Sequence, residues 1–293
     1  MLKTYLWLTF CVTVWGSNFV FGKMLLNDFS PAALTSLRLL FIVIFLFIFI
    51  FSRHGLQKIS LGDWGWIFLL GVVGVFINQW SFFEGLVTAD STTSALIIAT
   101  APIMTGILAA VFLKETFTIR MLLGSIIAIT GIYFVATEGG KTLQFDRGLL
   151  WIVVTMVTFA IMIIITRILS QRIIPIVTTF YSNVIGFIIS VPAAIVMDDP
   201  VRVSEDWQGW GLLIVTAIVV HGLANLIWNH YIRYAEASKA SILSNLEPFV
   251  AMAMGVLLLH KPITLPEMAG SLLIVGGVIF ANYQHRKRSM SHS

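Results

Sequence analysis

The chain has 293 residues, 58% hydrophobic and 11% charged, with a mean hydropathy of +0.94 and a formal net charge of +4. That balance excludes an ordinary soluble domain. The lone Cys11 excludes an internal disulfide and any multi-cysteine metal site.

Ten apolar runs read as membrane-spanning helices, over about 3–25, 31–51, 64–86, 92–113, 119–136, 148–168, 175–197, 208–230, 239–259 and 266–285. The first is too long for a cleaved signal peptide, lacks a small-x-small cleavage site and precedes further spans. It carries Trp15-Gly16-Ser17-Asn18. The second opens on Pro31 and holds Arg38 within Thr35-Ser36-Leu37-Arg38-Leu39-Leu40. The third contains Asn78, Gln79, Trp80, Phe82, Phe83 and Glu84, and the fourth contains Pro102. In the fifth, Gly124 and Gly131 lie seven residues apart on one helical face, which suits close helix packing. A polar linker follows over 138–147. The seventh run holds Asn183. The eighth places His221, Asn225, Trp228 and Asn229 on one face. The ninth contains Glu247-Pro248. Thr264-Leu-Pro-Glu267 is a capping box that starts the tenth.

The second five runs repeat the first. Pro102 recurs as Pro248, Thr118 as Thr264, Gly124 as Gly270 and Gly131 as Gly277, each 146 positions on; Pro31 and Thr35 recur as Pro175 and Thr179, 144 on. An odd number of spans per copy inverts the second copy in the membrane. The expected architecture is therefore an all-α membrane protein of ten transmembrane helices, built as two inverted five-helix repeats over 1–137 and 148–285. Such repeats mark transporters, with the substrate site at the seam near mid-membrane.

Lys and Arg set the orientation. With the N-terminus inside, twelve lie on the cytoplasmic side and five outside, with Arg38 within a span. Both termini are thus expected in the cytoplasm, the segment 198–207 outside, and the basic tail at 285–288 is a topology anchor rather than a nucleic-acid site.

At this point the residues resemble a known family. Trp15-Gly16-Ser17-Asn18, the context of Arg38, the stretch 95–118 with Pro102 and Leu113-Lys114-Glu115, and Leu246-Glu247-Pro248 are similar to motifs of the EamA family of the drug/metabolite transporter superfamily. The resemblance covers essentially the whole chain. One departure is Lys261, where the family often has an acid after the ninth span; Glu115 is kept in the first copy. The resemblance implies a ten-helix carrier of the cell membrane that exports small metabolites, often amino acids or related compounds.

Few polar side chains lie in the apolar runs, and each is costly there without a partner or water. At a rise of about 1.5 Å per residue, Trp15, Asn18, Arg38 and Asn78 fall about 18–22 Å above the cytoplasmic face, and Asn183, His221 and Glu247 about 10–14 Å above it. Two readings stand for Arg38: a two-pronged grip on a substrate carboxylate, or a structural lock with Glu84 or with helix-end carbonyls. Two also stand for Glu247. It takes up and releases protons with His221 at similar depth, or it stays protonated and bonds a neighbouring helix. Trp15, Asn18, Arg38, Asn78, Gln79, His221, Asn225, Trp228 and Asn229 are the expected cavity residues, with Trp80, Phe82 and Phe83 as further aromatic walls. Pro102 and Pro248 are expected to kink their spans.

No enzymatic motif, metal site or cofactor is expected. The expected activity is secondary export of a small organic metabolite by alternating access, with inward proton flow as the drive. Export of cationic compounds on Glu247 and aromatic walls is the alternative of related chemistry, and a non-transporting intramembrane enzyme or binder the alternative of another class. The expected partners are a small-molecule substrate, protons and the lipid bilayer, with no nucleic acid. A monomer is favoured, although the sequence does not set the oligomeric state.

Overall fold

The computed structural model describes residues 2–53, 57–112, 114, 118–136, 146–231, 234 and 243–282. Glu115, 138–145, 235–242 and the basic tail lie outside them. No strand occurs among the described residues.

Among the described residues, seven helices are long and apolar enough to cross a membrane, and three shorter apolar helices accompany them. In chain order these are α1 (Leu2–Leu25), α2 (Pro31–Arg53), α3 (Leu61–Thr88), α4 (Ser91–Phe112), α5 (Ile119–Ala136), α6 (Arg147–Leu169), α7 (Pro175–Met197), α8 (Trp207–Val215 continuing to Tyr231), α9 (Glu247–Leu259) and α10 (Leu265–Asn282). Their starts follow the local sequence. Pro31 and Pro175 open α2 and α7, where a missing N–H costs nothing and φ is already helical. Ser60, Asp90, Asp146 and Asp206 cap α3, α4, α6 and α8 by accepting backbone N–H groups of the first turn. The Thr264–Glu267 capping box is formed, with Thr264 N–H donating to Oε2 of Glu267 at 2.9 Å.

Three irregularities recur 146 positions apart. A π-helical segment occupies Leu70–Ile77 of α3 and Thr216–Leu223 of α8. A two-residue turn interrupts the chain at 99–100 within α4 and at 245–246 before α9. Left-handed backbone follows α4 at Lys114 and α9 at His260. Pro102 and Pro248 each sit second in the helix restarting after the turn, so the expected kinks take the form of a break.

Small residues set the packing. Gly124 and Gly131 on α5 meet Gly277 and Gly270 on α10 backbone to backbone. Gly71 and Gly186 bring the π segment of α3 onto α7, and Gly222 brings that of α8 onto Phe45 of α2. The helix termini are exchanged as well. Asp198, just past α7, accepts from the N–H groups of Ala32 and Ala33 at the start of α2. Gln57, just past α2, accepts from the N–H of Ile174 at the start of α7. The largest buried cluster joins Phe19, Phe29, Phe82, Phe83, Leu86 and Ile152. Outward faces carry many exposed large apolar side chains, among them Ile48, Ile129, Ile195 and Leu272, far more apolar surface than water tolerates on a soluble protein.

Candidate functional site

The motif on α1 ties three other helices together. The Trp15 indole donates to the Val220 carbonyl in the π segment of α8 at 3.2 Å, and its ring lies 5.0 Å from that of Trp228. A π turn shifts the bonding of its carbonyls by one residue, and Trp15 bonds one of them; just past the segment, Cys11 donates to the carbonyl of Ala224. Gly16 lets α1 approach α9 so closely that a Cβ there would lie 2.6 Å from the Glu247 carbonyl oxygen. Asn18, three residues on from Trp15, accepts from Nη2 of Arg38 on α2 at 2.5 Å.

Arg38 is fully buried. The Phe83 ring lies 5.2 Å from its guanidinium carbon, within cation–π range. The expected lock with Glu84 is not what forms. The oxygen that holds Arg38 belongs to Asn18.

A polar contact joins the two halves of the chain. Gln79, two residues past the π segment of α3, has its side-chain nitrogen 3.4 Å from Nε2 of His221 on α8. Asn225, which is Gln79's position one repeat later, donates to the His221 carbonyl at 2.8 Å. Asn78 turns the other way, donating to the Thr155 carbonyl and Thr158 Oγ1 of α6, both at 2.9 Å. Asn183 spends its amide on the Thr179 carbonyl one turn back. Trp80 pairs edge-on with Trp151, and Phe82 with Phe19, so both serve packing. The Asn229 side chain lies outside the described residues. Glu247 is half-buried at the first position of α9, directly after the two-residue turn.

A cavity of about 620 Å³ opens where α7 begins. Leu46 and Phe49 of α2, Pro175 and Thr179 of α7, and His221 and Asn225 of α8 line it. At the opposite end of the bundle, contacts tie the described helix ends together. Lys23 donates from α1 to the carbonyls of Leu86, Val87 and Ala89 at the end of α3. Thr88 donates to Asp146 at 2.6 Å, and Lys261 pairs with Asp90 at 2.8 Å and with Glu267. Partial burial lowers the pKa of Lys261, but Asp90 and Glu267 outweigh it and hold the value above the usual range. Gly85 and Gly148 supply the close approach of α3 and α6 at this end.

Trp15, Asn18, Arg38, Gln79, His221, Asn225 and Trp228 are thus brought together at the meeting of α1, α2, α3 and α8. Thr179, on the cavity wall, carried no sequence signal beyond its match with Thr35. The Lys23 latch was equally hidden, because a lysine at a helix end reads as an ordinary dipole partner. No cluster of metal-ligating residues occurs among the described residues.

The chain was compared with known proteins. The profile of the EamA-like transporter family matches it twice, over residues 2–137 and 146–283. It is 31% identical over 274 residues to the uncharacterized transporter YyaM of Bacillus subtilis, covering 91% of this chain and 89% of that protein. It is 29% identical over 279 residues to an uncharacterized transporter of Archaeoglobus fulgidus, covering 94% and 98%. A crystal structure at 15% identity shares the fold, with a TM-score of 0.66 over 94% of this chain and 95% of that one.

Proposed function

Starting from the fact that the chain is a multi-pass membrane protein belonging to the EamA-like transporter family, we propose that it is a secondary active carrier exporting a small organic metabolite across the cell membrane. In this reading all ten helices cross the bilayer, the two family-matched halves are inverted repeats, and both termini are cytoplasmic. The cavity beside Thr179 and His221 then opens to the cytoplasm, and the Lys23, Asp146 and Lys261 contacts close the outer face.

The observation that carries the proposal is the joint one of a polar cluster from α1, α2, α3 and α8, a cavity beside it at one end, and contacts that tie the helix ends together at the other. An alternating-access carrier in its inward-open state has that form. The seam residues come from both halves, so rocking one half against the other changes which end is open. The recurring π segments and helix breaks lie beside the cluster, and irregular backbone within a membrane is tolerated where it is buried in protein or lines a cavity.

Proton coupling is assigned to Glu247, with His221 as the relay. The Glu247 backbone packs on α1 at Gly16, so motion of α1 alters its surroundings as the cavity changes side. A carboxyl there gains a proton where water reaches it from outside and releases it toward the cytoplasm, while substrate moves outward.

The test is reconstitution. Purified protein in proteoliposomes is assayed for flux of amino acids and related small metabolites with and without a pH gradient. Gradient-stimulated flux above that of empty liposomes supports the proposal. Absence of flux for every compound class, cationic dyes included, rejects the carrier reading.

A further inference from the structure

Arg38 is the residue that helix packing leaves unfinished. Its side chain is fully buried, yet only Nη2 has a hydrogen-bond partner; Nε and Nη1 have none. Among the described residues no carboxylate forms an ion pair with it. Its single acceptor, Asn18, is an amide, so the contact fixes the guanidinium without cancelling its charge. The positions 144 residues after Asn18 and Arg38 are Met162 and Ser182, so the second half supplies no balancing group.

A guanidinium does not deprotonate under ordinary conditions. A buried charge of this kind needs a partner of opposite sign. Most buried charges find one within the fold, whereas here Asn18 and Phe83 hold the guanidinium fork in place and leave two of its nitrogens free. A site orienting a cation for an anion that arrives from outside has this form. The site lies near the cavity: Asn18 holds Arg38 one turn along α1 from Trp15, whose indole donates to the Val220 carbonyl next to His221 on the cavity wall.

We propose that the substrate brings the missing anion. It is a small organic acid or zwitterion whose carboxylate docks on the free N–H groups of Arg38, entering from the cavity past His221 and Gln79. This deepens the carrier reading and rests on it. It also disfavours a purely cationic substrate, which would meet an uncompensated like charge.

The test uses the full chain in lipid nanodiscs. Thermal stabilisation is measured with pairs of small compounds that differ only in bearing a carboxylate or the matching primary amide, with chloride as a separate arm. The carboxylate members are expected to raise the melting temperature and the amides not. Arg38→Lys keeps the charge but loses the planar fork, and should weaken the response by about tenfold or more. Asn18→Asp does not depend on Arg38 tolerating change. It places an acid against the guanidinium, and the expected result is a folded protein with no carboxylate response. Equal responses to acid and amide, stabilisation by chloride alone, or a full response in Asn18→Asp would overturn the proposal. Flux separates the two claims. Transport of neutral or cationic compounds without any carboxylate preference sinks the Arg38 seat and keeps the carrier. Carboxylate binding with no flux of any compound keeps the seat and sinks the carrier.

Discussion

Gly124 of α5 and Gly277 of α10 face each other so closely that a Cβ on either would lie 2.5–2.6 Å from the other's carbonyl oxygen. Gly131 and Gly270 repeat the arrangement one step along the same pair, at 2.7 and 2.8 Å. In a bilayer, where lipid is as apolar as leucine, such backbone contact is what joins helices.

Gly131→Val should therefore destabilise the protein. Its new Cβ meets backbone and the Ile274 side chain, neither of which has room to give, and overpacking costs about 1–3 kcal/mol. A lowered melting temperature in detergent is the expected outcome. Gly276→Ala is the control, since nothing lies within 4 Å of a Cβ there. Equal stability of both variants would refute the tight-seam account.

Topology is open to cysteine labelling. Ser204 looks suitable from sequence, but it is nearly buried and its carbonyl accepts from the Trp210 indole. Val203, which is exposed, is the better reporter. In a variant lacking Cys11, a cysteine at Val203 should react with an impermeant thiol reagent in intact cells, and one at the exposed Lys58 should not. The reverse pattern would invert the assignment of inner and outer faces.

Coupling is tested at Glu247. Glu247→Gln keeps shape and hydrogen bonding while removing titration. The expected outcome is at least about a tenfold loss of flux driven by a pH gradient, with substrate binding retained. His221→Asn should give a smaller loss and a shifted pH profile. Undiminished gradient-driven flux in Glu247→Gln rules out Glu247 as the coupling group.

The closed end should loosen when Lys261 is neutralised. Its two partly exposed pairs contribute about 0.2–1 kcal/mol each. Lys261→Met should thus raise labelling of a cysteine at the buried Ser91, beside Asp90, by a factor of about two to thirty. The folded pKa of Lys261 is raised above its usual value of 10.5. Its stabilisation is accordingly complete below that usual value and is lost only as pH rises through the higher folded one. Labelling of the parent protein should therefore stay flat with respect to this lysine from neutral pH to about pH 9. A labelling rate unchanged by the substitution would show that Lys261 does not hold the end shut.

Hydropathy alone located the apolar helices, because burial of apolar runs is what the bilayer selects. The repeat was legible from Pro, Gly and Thr, residues whose backbone or packing roles resist replacement. Even its change of offset from 144 to 146 has a structural counterpart: α2 ends at Arg53 and α3 starts at Leu61, whereas α7 ends at Met197 and α8 starts at Trp207. The π segments were not legible, since a shift of one backbone bond leaves apolar composition unchanged. Nor was the partner of Arg38. Glu84 and helix-end carbonyls were the expected structural partners, and only the direction in which each helix face points gives the place to Asn18. The ninth run, expected over 239–259, is broken by the turn at 245–246, and its helix runs over Glu247–Leu259.

The exchanged caps of α2 and α7 bear on how the molecule is made. The first N–H groups of α2 wait for Asp198, a residue synthesised some 165 positions later, while Gln57 stands ready for Ile174 long before that residue leaves the ribosome. The earlier half is therefore a host that is itself incomplete until its guest arrives. Two separately expressed half-chains should accordingly be rescued by co-expression rather than accumulate singly.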